Sequence, residues 1–400
     1  PTMETRWPST PPPDCPFAPS AAFDGLTFTG RHAEYTHADT WYPSWASDDH
    51  MYSPWTDGNF ERNWSGAFHD PNAVECSSKL DNPANAGKGG KSGTGQAKII
   101  GDDPLNLELV NLGIHYASPL PYGGRYPCGS LVYDGVWYYG TYCLDETDRG
   151  LNWDVLGPFV GFRISRDFGL TWEECPHTPA NPIFGESGKH GAKVKIGAPH
   201  FVDFGKNMMH SPDGKAYLVG HGATRPDAEL AWIAGDQAYL IRATPSPENM
   251  NDPGKYEFFA GHDTSGKPIW SHNFVDIQPL LEWNGRIGHV TVTYNAPLRK
   301  YLMCVTDGWP TISTMNTFLL EADALTGPWR LITFMEKFGE QGYFVNIPSK
   351  FISADGMTFW LCYSANFTNQ PGVLGTRLKA NPPGSRYGMC LQEVRLQRRT

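Results

Sequence analysis

His289–Gly308 reads HVTVTYNAPLRKYLMCVTDG. An alternating apolar strand runs into a Pro-containing turn, and a second apolar strand closes on Thr-Asp-Gly. Working outward, the phrase returns with variations. It recurs at Asn346–Asn366 (NIPSKFISADGMTFWLCYSAN), Ala198–Gly222 (APHFVDFGKNMMHSPDGKAYLVGHG), Tyr126–Cys143 (YPCGSLVYDGVWYYGTYC) and Trp41–Gly58 (WYPSWASDDHMYSPWTDG). Repeats of this kind predict an all-β chain folded as a β-propeller of five blades. A propeller gathers the ends of its inner strands around one axis, so residues far apart in the chain meet in one pocket.

The phrases begin at 41, 126, 198, 289 and 346. A blade needs only about 40–50 residues, so long inter-strand loops are expected at Ala67–Ala97, Phe184–Gly197 and His262–Gly285. Outer strand pairs are expected at Ala97–Gly101 with Leu105–Val110 and at Phe159–Ser165 with Thr171–Glu174. Two more fall at Gln237–Ala243 with Lys255–Ala260 and at Phe318–Ala322 with Trp329–Phe334. Residues 1–22 read as a Pro-rich, polyproline-like arm. Residues 23–400 then form a single propeller domain. Phe23–Gly30 is expected to pair with Gly388–Leu396 and cover both sheet edges.

Composition agrees. The chain has 400 residues, 13% aromatic and 18% charged, with 43 Gly and 34 Pro. That suits a turn-rich β fold and argues against a disordered chain or a helical bundle. No apolar run approaches the ~20 residues that span a bilayer. A net charge of −10 without a basic run argues against a nucleic-acid partner. Eight cysteines permit a disulfide set, but 105 pairings are possible and none is assigned. Cys304 and Cys362, at equivalent places in two repeats, read as buried thiols. Low Lys content, high aromatic content and a potential disulfide set point to a secreted protein, expected as a monomer, and the sequons Asn63-Trp-Ser and Asn366-Phe-Thr, triplets that also arise by chance, mark it as a candidate glycoprotein. No metal motif or cofactor is indicated, and bound Ca²⁺ stays open.

The repeat also selects a candidate pocket. Blade 1 offers His37, Asp39 and Asp57, with Trp41 beside them. Blade 2 offers Arg125, Asp145 and Glu146. Blade 3 offers His190, Lys193, Lys195 and His200, then His221 and Arg225. Blade 4 offers Arg286, His289 and Asp307. Blade 5 offers Tyr343, Asn346 and Asn366. Each has a structural alternative. An Asp in Thr-Asp-Gly is a common turn residue, the arginines suit pairing with Asp39 or Glu146, and the aromatics suit blade packing.

Ser165-Arg166-Asp167-Phe168-Gly169-Leu170-Thr171-Trp172 matches Ser-x-Asp-x-Gly-x-Thr-Trp and resembles the Asp-box hairpin of sialidase-type propellers. The resemblance implies a structural turn whose Trp packs between blades. The scaffold as a whole resembles the five-bladed arabinanase/xylosidase group. His37-Ala38-Asp39-Thr40 is similar to that group's first-blade general base, and Ser211–Leu218 to its third-blade hairpin. The group's other two carboxylates would fall near Ala198-Pro199 and Arg286-Ile287, so the inverting apparatus is incomplete here.

In their place stand Arg125, Arg286, His200 and His289, with Tyr343 nearby. Arg holds a uronate carboxylate bidentately, and His or Tyr moves the C5 proton. The leading expectation is therefore a polysaccharide lyase acting by β-elimination on an acidic, uronic-acid-containing polysaccharide. In this respect the chain resembles the rhamnose–glucuronate lyases. That group is seven-bladed, so seven blades are not excluded. The substrate-binding set is expected to include His37, Trp41, Asp57, Glu146, His221, Arg225, Asp307 and Asn346. The alternatives are a glycoside hydrolase using Asp39 with Glu146 or Asp57, and a non-catalytic glycan-binding propeller.

Overall fold

The computed structural model describes residues 3–60, 75–146, 151, 153–309, 312–370, 373 and 377–400. The described residues fall into five antiparallel sheets, one for each repeat, arranged as the blades of a propeller. Among them there is no α-helix, only short 3₁₀ turns.

Blade 1 runs His37–Asp39, Met51–Asn59, Ser92–Ile100 and Glu108–Ala117 from the axis outward. Blade 2 has three strands, Gly124–Tyr133, Val136–Asp145 and Val155–Ser165. The expected fourth strand at Thr171–Glu174 is reduced to a single bridge between Ile164 and Glu173. Blade 3 begins at His200–Phe201 and blade 4 at His289–Asn295. Blade 5 is composite. Gly342–Asn346, Thr358–Ala365 and Met389–Arg398 are followed by Phe23–Tyr35 from the other end of the chain. Thr27 lies opposite Arg395, and Tyr35 opposite Met389. That pairing closes the ring, and Thr5–Arg6 cover part of its outer edge.

The N-terminal arm is strapped down rather than free. Thr5 and Arg6 pair with Phe28 and Thr27. Trp7 packs on Phe28 and Phe338, and the Ala18 carbonyl accepts the Leu331 N–H of blade 4.

The Ser165–Trp172 hairpin is built as its motif implies. Asp167 Oδ1 accepts the Thr171 N–H at 2.8 Å, Ser165 Oγ accepts the Gly169 N–H at 2.8 Å, and Trp172 packs on Trp137 at 5.1 Å. All eight cysteines are free thiols, Cys304 and Cys362 among the buried ones, so the disulfide set is not formed. The Asn366 side chain is buried, its amide donates to the Lys379 carbonyl, and its oxygen accepts the Gln341 N–H. An Asn366 side chain held in this way is turned into the fold rather than toward solvent. Asn63 lies outside the described residues.

Candidate active site

The inner strands start at the front of the ring, and there Asp39 and Asp57 share one pocket. Its volume is about 730 Å³ measured to its open mouth. Asp39 sits on the first inner strand and Asp57 on its neighbour. Between these strands the register slips. His37 lies opposite Asn59 but Asp39 lies opposite Thr56, so Asp57 and Gly58 together face Ala38. This is a β-bulge, a device that re-aims a side chain. Asp57 takes a left-handed φ of 53°. A Cβ on Gly58 would stand 2.0 Å from the His37 carbonyl oxygen, so only glycine fits. The Thr-Asp-Gly turn is thus what brings the second carboxyl to the first.

Both carboxyls are held by donors. Asp39 accepts from Thr40 Oγ1 at 2.8 Å and from the Tyr343 hydroxyl at 2.9 Å. Asp57 Oδ1 accepts the Ser78 N–H at 2.6 Å, and the Tyr387 hydroxyl donates to the Asp57 carbonyl. Burial raises the Asp39 carboxyl well above the carboxylate range, and the Asp57 charge raises it further. Burial also raises Asp57, to about 6, against the Ser78, Ser77 and Thr56 hydrogen bonds. The two carboxyls titrate as a pair, so the proton of one depends on the charge of the other.

The walls are aromatic. Tyr126 and Tyr142 come from blade 2, Trp153 and Trp232 from loops, Phe344 from blade 5 and Phe367 from the turn after it. Ser77, Lys79, Asn82 and Gln370 supply the polar rim. Trp153 Nε1, Trp232 Nε1 and Gln370 Oε1 are buried without a protein partner.

The other sequence-selected residues lie elsewhere. His200 and His289 form an aromatic plug with Tyr42 on the axis. Their rings are 4.6 Å apart, and the Tyr42 hydroxyl is 3.0 Å from His289 Nε2. Burial pushes His200 down to about 3 and His289 well below its usual range, so both are neutral. Phe344 separates this plug from the pocket, lining one and packing on His289 at 5.0 Å. Asn346 lines a smaller cavity on the far side of the plug and donates to the Trp41 carbonyl.

Arg286 pairs with buried Asp307 at 3.0 Å, and Asn316 donates to the same carboxylate. Arg225 grips Asp236 at 2.8 and 3.2 Å. Arg125 donates to Thr141 at 3.0 Å, inside the interface of blades 1 and 2. His221 Nε2 donates to the Ala231 carbonyl at 2.8 Å, and burial lowers it to about 4. Trp41 is buried and donates to the Ala38 carbonyl. His37 meets Arg386 at 3.3 Å.

Glu146 is exposed in an adjoining cleft with Asp145, His190 and Lys193. Lys195 lies over the Phe274 ring. The arginines and histidines of the elimination reading therefore do not line the carboxyl pocket.

The sequence reading passed over Tyr387, Thr40, Trp153, Trp232 and Phe367. Tyr126 was legible, because it opens the second repeat as His289 opens the fourth. Tyr387 lies outside every repeated phrase and carries no such signal.

No protein-family model and no curated protein matches the chain in sequence. Solved structures do match in shape. A presumptive hydrolase from Bacteroides ovatus ATCC 8483 shares 11% identity over 96% of this chain and 92% of that one, with a TM-score of 0.50. A family 117 glycoside hydrolase from the marine bacterium Zobellia galactanivorans shares 12% over 92% and 90%, with a TM-score of 0.46. The GH43_1 enzyme of Xanthomonas citri, complexed with xylotriose, shares 12% over 90% and 88%, with a TM-score of 0.45. At such identities the likeness concerns the fold, a five-bladed propeller.

Proposed function

We propose that this chain is a carbohydrate-active enzyme that hydrolyses glycosidic bonds, with Asp39 and Asp57 as its working carboxyls. The observation that carries the reading is the bulge-directed meeting of two carboxyls in one aromatic-walled pocket. Flat rings suit the C–H faces of sugars.

A coupled carboxyl pair supplies both halves of acid–base chemistry. Asp39 is the more deeply buried member, raised by burial and by the Asp57 charge, and in this reading it is the donor to the leaving oxygen. Asp57, ionised above about 6, stabilises positive charge at the anomeric carbon or activates water. These roles reverse the assignment of Asp39 as base.

Hydrolysis is preferred to elimination because of what the pocket contains. Elimination needs a cation on the uronate carboxylate. Arg125 and Arg286, the cations of the elimination reading, are turned to Thr141 and Asp307 and do not line the pocket.

The test is a panel of arabinofuranosides, xylosides, galactosides and uronate-bearing glycans, followed for new reducing ends and for absorbance near 235 nm. Reducing ends without absorbance, lost in Asp39→Asn, support the reading. Rising absorbance overturns it in favour of elimination. Binding without turnover of any glycan overturns it in favour of a lectin.

A further inference from the structure

Arg125 and Arg163 leave blade 2 on the same face and enter the interface with blade 1. Arg125 Nε donates to Thr141 Oγ1, and Arg163 lies over the Tyr139 ring at 4.5 Å. Tyr139 and Thr141 sit two apart on the middle strand, and Arg163 is directly opposite Tyr139. Both arginines are buried, at 5% and 2% exposure. Arg125 Nη2 and Arg163 Nε are enclosed without a hydrogen-bond partner.

One carboxylate faces the two cations. Glu174 Oε1 stands 3.8 Å from Arg125 Nη2 while Oε2 is held by His115 at 2.6 Å. The other neighbours bring no charge. Burial pushes the Cys175 thiol up to about 11, the Tyr139 hydroxyl donates to the Gly95 carbonyl, and Thr94 accepts from Arg163. Arginine cannot escape burial by losing its proton, and an uncompensated buried charge is strongly destabilising.

We propose that this interface holds a small monovalent anion of the chloride class, bound by the N–H groups of Arg125 and Arg163. Two guanidiniums against one carboxylate leave a single positive charge, which one monovalent anion balances. The anion also satisfies both orphaned donors at once. The site lies apart from the carboxyl pocket and stands whether or not glycan hydrolysis does.

The experiment is thermal unfolding of the full chain at fixed ionic strength in sodium gluconate, chloride or bromide, with anomalous diffraction from crystals soaked in bromide. The expected result is a saturable rise in Tm of about 2–5 °C in chloride and bromide over gluconate. An anomalous peak should lie within hydrogen-bond reach of both guanidiniums. Arg125→Lys, and independently Arg163→Met, should remove the halide-dependent increment whatever they do to Tm in gluconate. Equal Tm in all three salts overturns the proposal. So does density at this position without anomalous signal, which would mean a water.

Discussion

The Tyr343 hydroxyl donates to Asp39 Oδ2 at 2.9 Å, joining residues 304 positions apart. The bond crosses from blade 5 to blade 1 at the axis. Burial raises the phenol well above its usual range, and the Asp39 charge raises it further, so it serves as a fixed neutral donor. It holds the Asp39 carboxyl below the value that burial alone would set. Tyr343→Phe should therefore raise the Asp39 pKa, shift the limb of the pH–activity profile that Asp39 controls to higher pH, and cost about 1 kcal/mol of stability. A pH–rate profile beside a denaturation curve reads both.

Asp57 carries a stability prediction with a definite sign. Its folded value, about 6, exceeds the unfolded value of about 3.9. The folded state therefore holds this proton more tightly. The stabilisation is full below about pH 4 and is lost as pH rises through about 6. Asp57→Asn should melt higher than the native chain at pH 8, while Asp39→Asn and Asp57→Asn each lower kcat by about 10²–10⁴-fold. A neutral variant that melts no higher at pH 8 would contradict this burial argument.

The axial histidines act in the opposite direction. His200 is depressed to about 3, below its unfolded value of about 6.5. Its contribution is present above pH 6.5 and is lost as pH falls toward 3, because only the unfolded chain gains the proton. His200→Phe should flatten the fall in Tm between pH 6.5 and 4 without lowering activity at pH 7 by more than a few-fold.

Arg286 is paired with an Asp307 carboxylate that is only 2% exposed. Arg286→Ala strands that carboxylate, with the Asn316 amide as its remaining donor. A loss of about 1–3 kcal/mol is expected, reduced by the partial exposure of the arginine. The kcat of the folded fraction should stay within a few-fold. A specific collapse of activity on uronate substrates would instead restore Arg286 as a substrate ligand.

Gly58 tests the bulge. Gly58→Ala drives a methyl group into the His37 carbonyl, and the cheapest relief is to undo the register slip that aims Asp57 at Asp39. Activity should fall by more than the stability loss explains. An alanine variant with native kcat would show that the bulge does not set the carboxyl geometry.

The repeated phrase determined much by itself. Alternating apolar residues and Asp/Gly turns dictate strand, turn and strand wherever they occur, so five sheets and ring closure beginning at Phe23 were legible from local chemistry, though the closing strand was read only to Gly30 and runs to Tyr35. Direction and partnership were not. Arg125 and Arg286 occupy matched positions at the starts of inner strands, yet each turns to a neighbour that pattern cannot reveal, Thr141 in one case and Asp307 in the other. His200 and His289 carry the same polar signal as Asp39, but packing stacks them against Tyr42 on the axis, where desolvation keeps them neutral. Tyr387 and Trp232 reach the pocket from segments without any repeat. Sequence sets which strands form, because that choice is made within a few residues. Only the closed ring decides which side chains meet, because charge, burial and contact there depend on residues hundreds of positions apart.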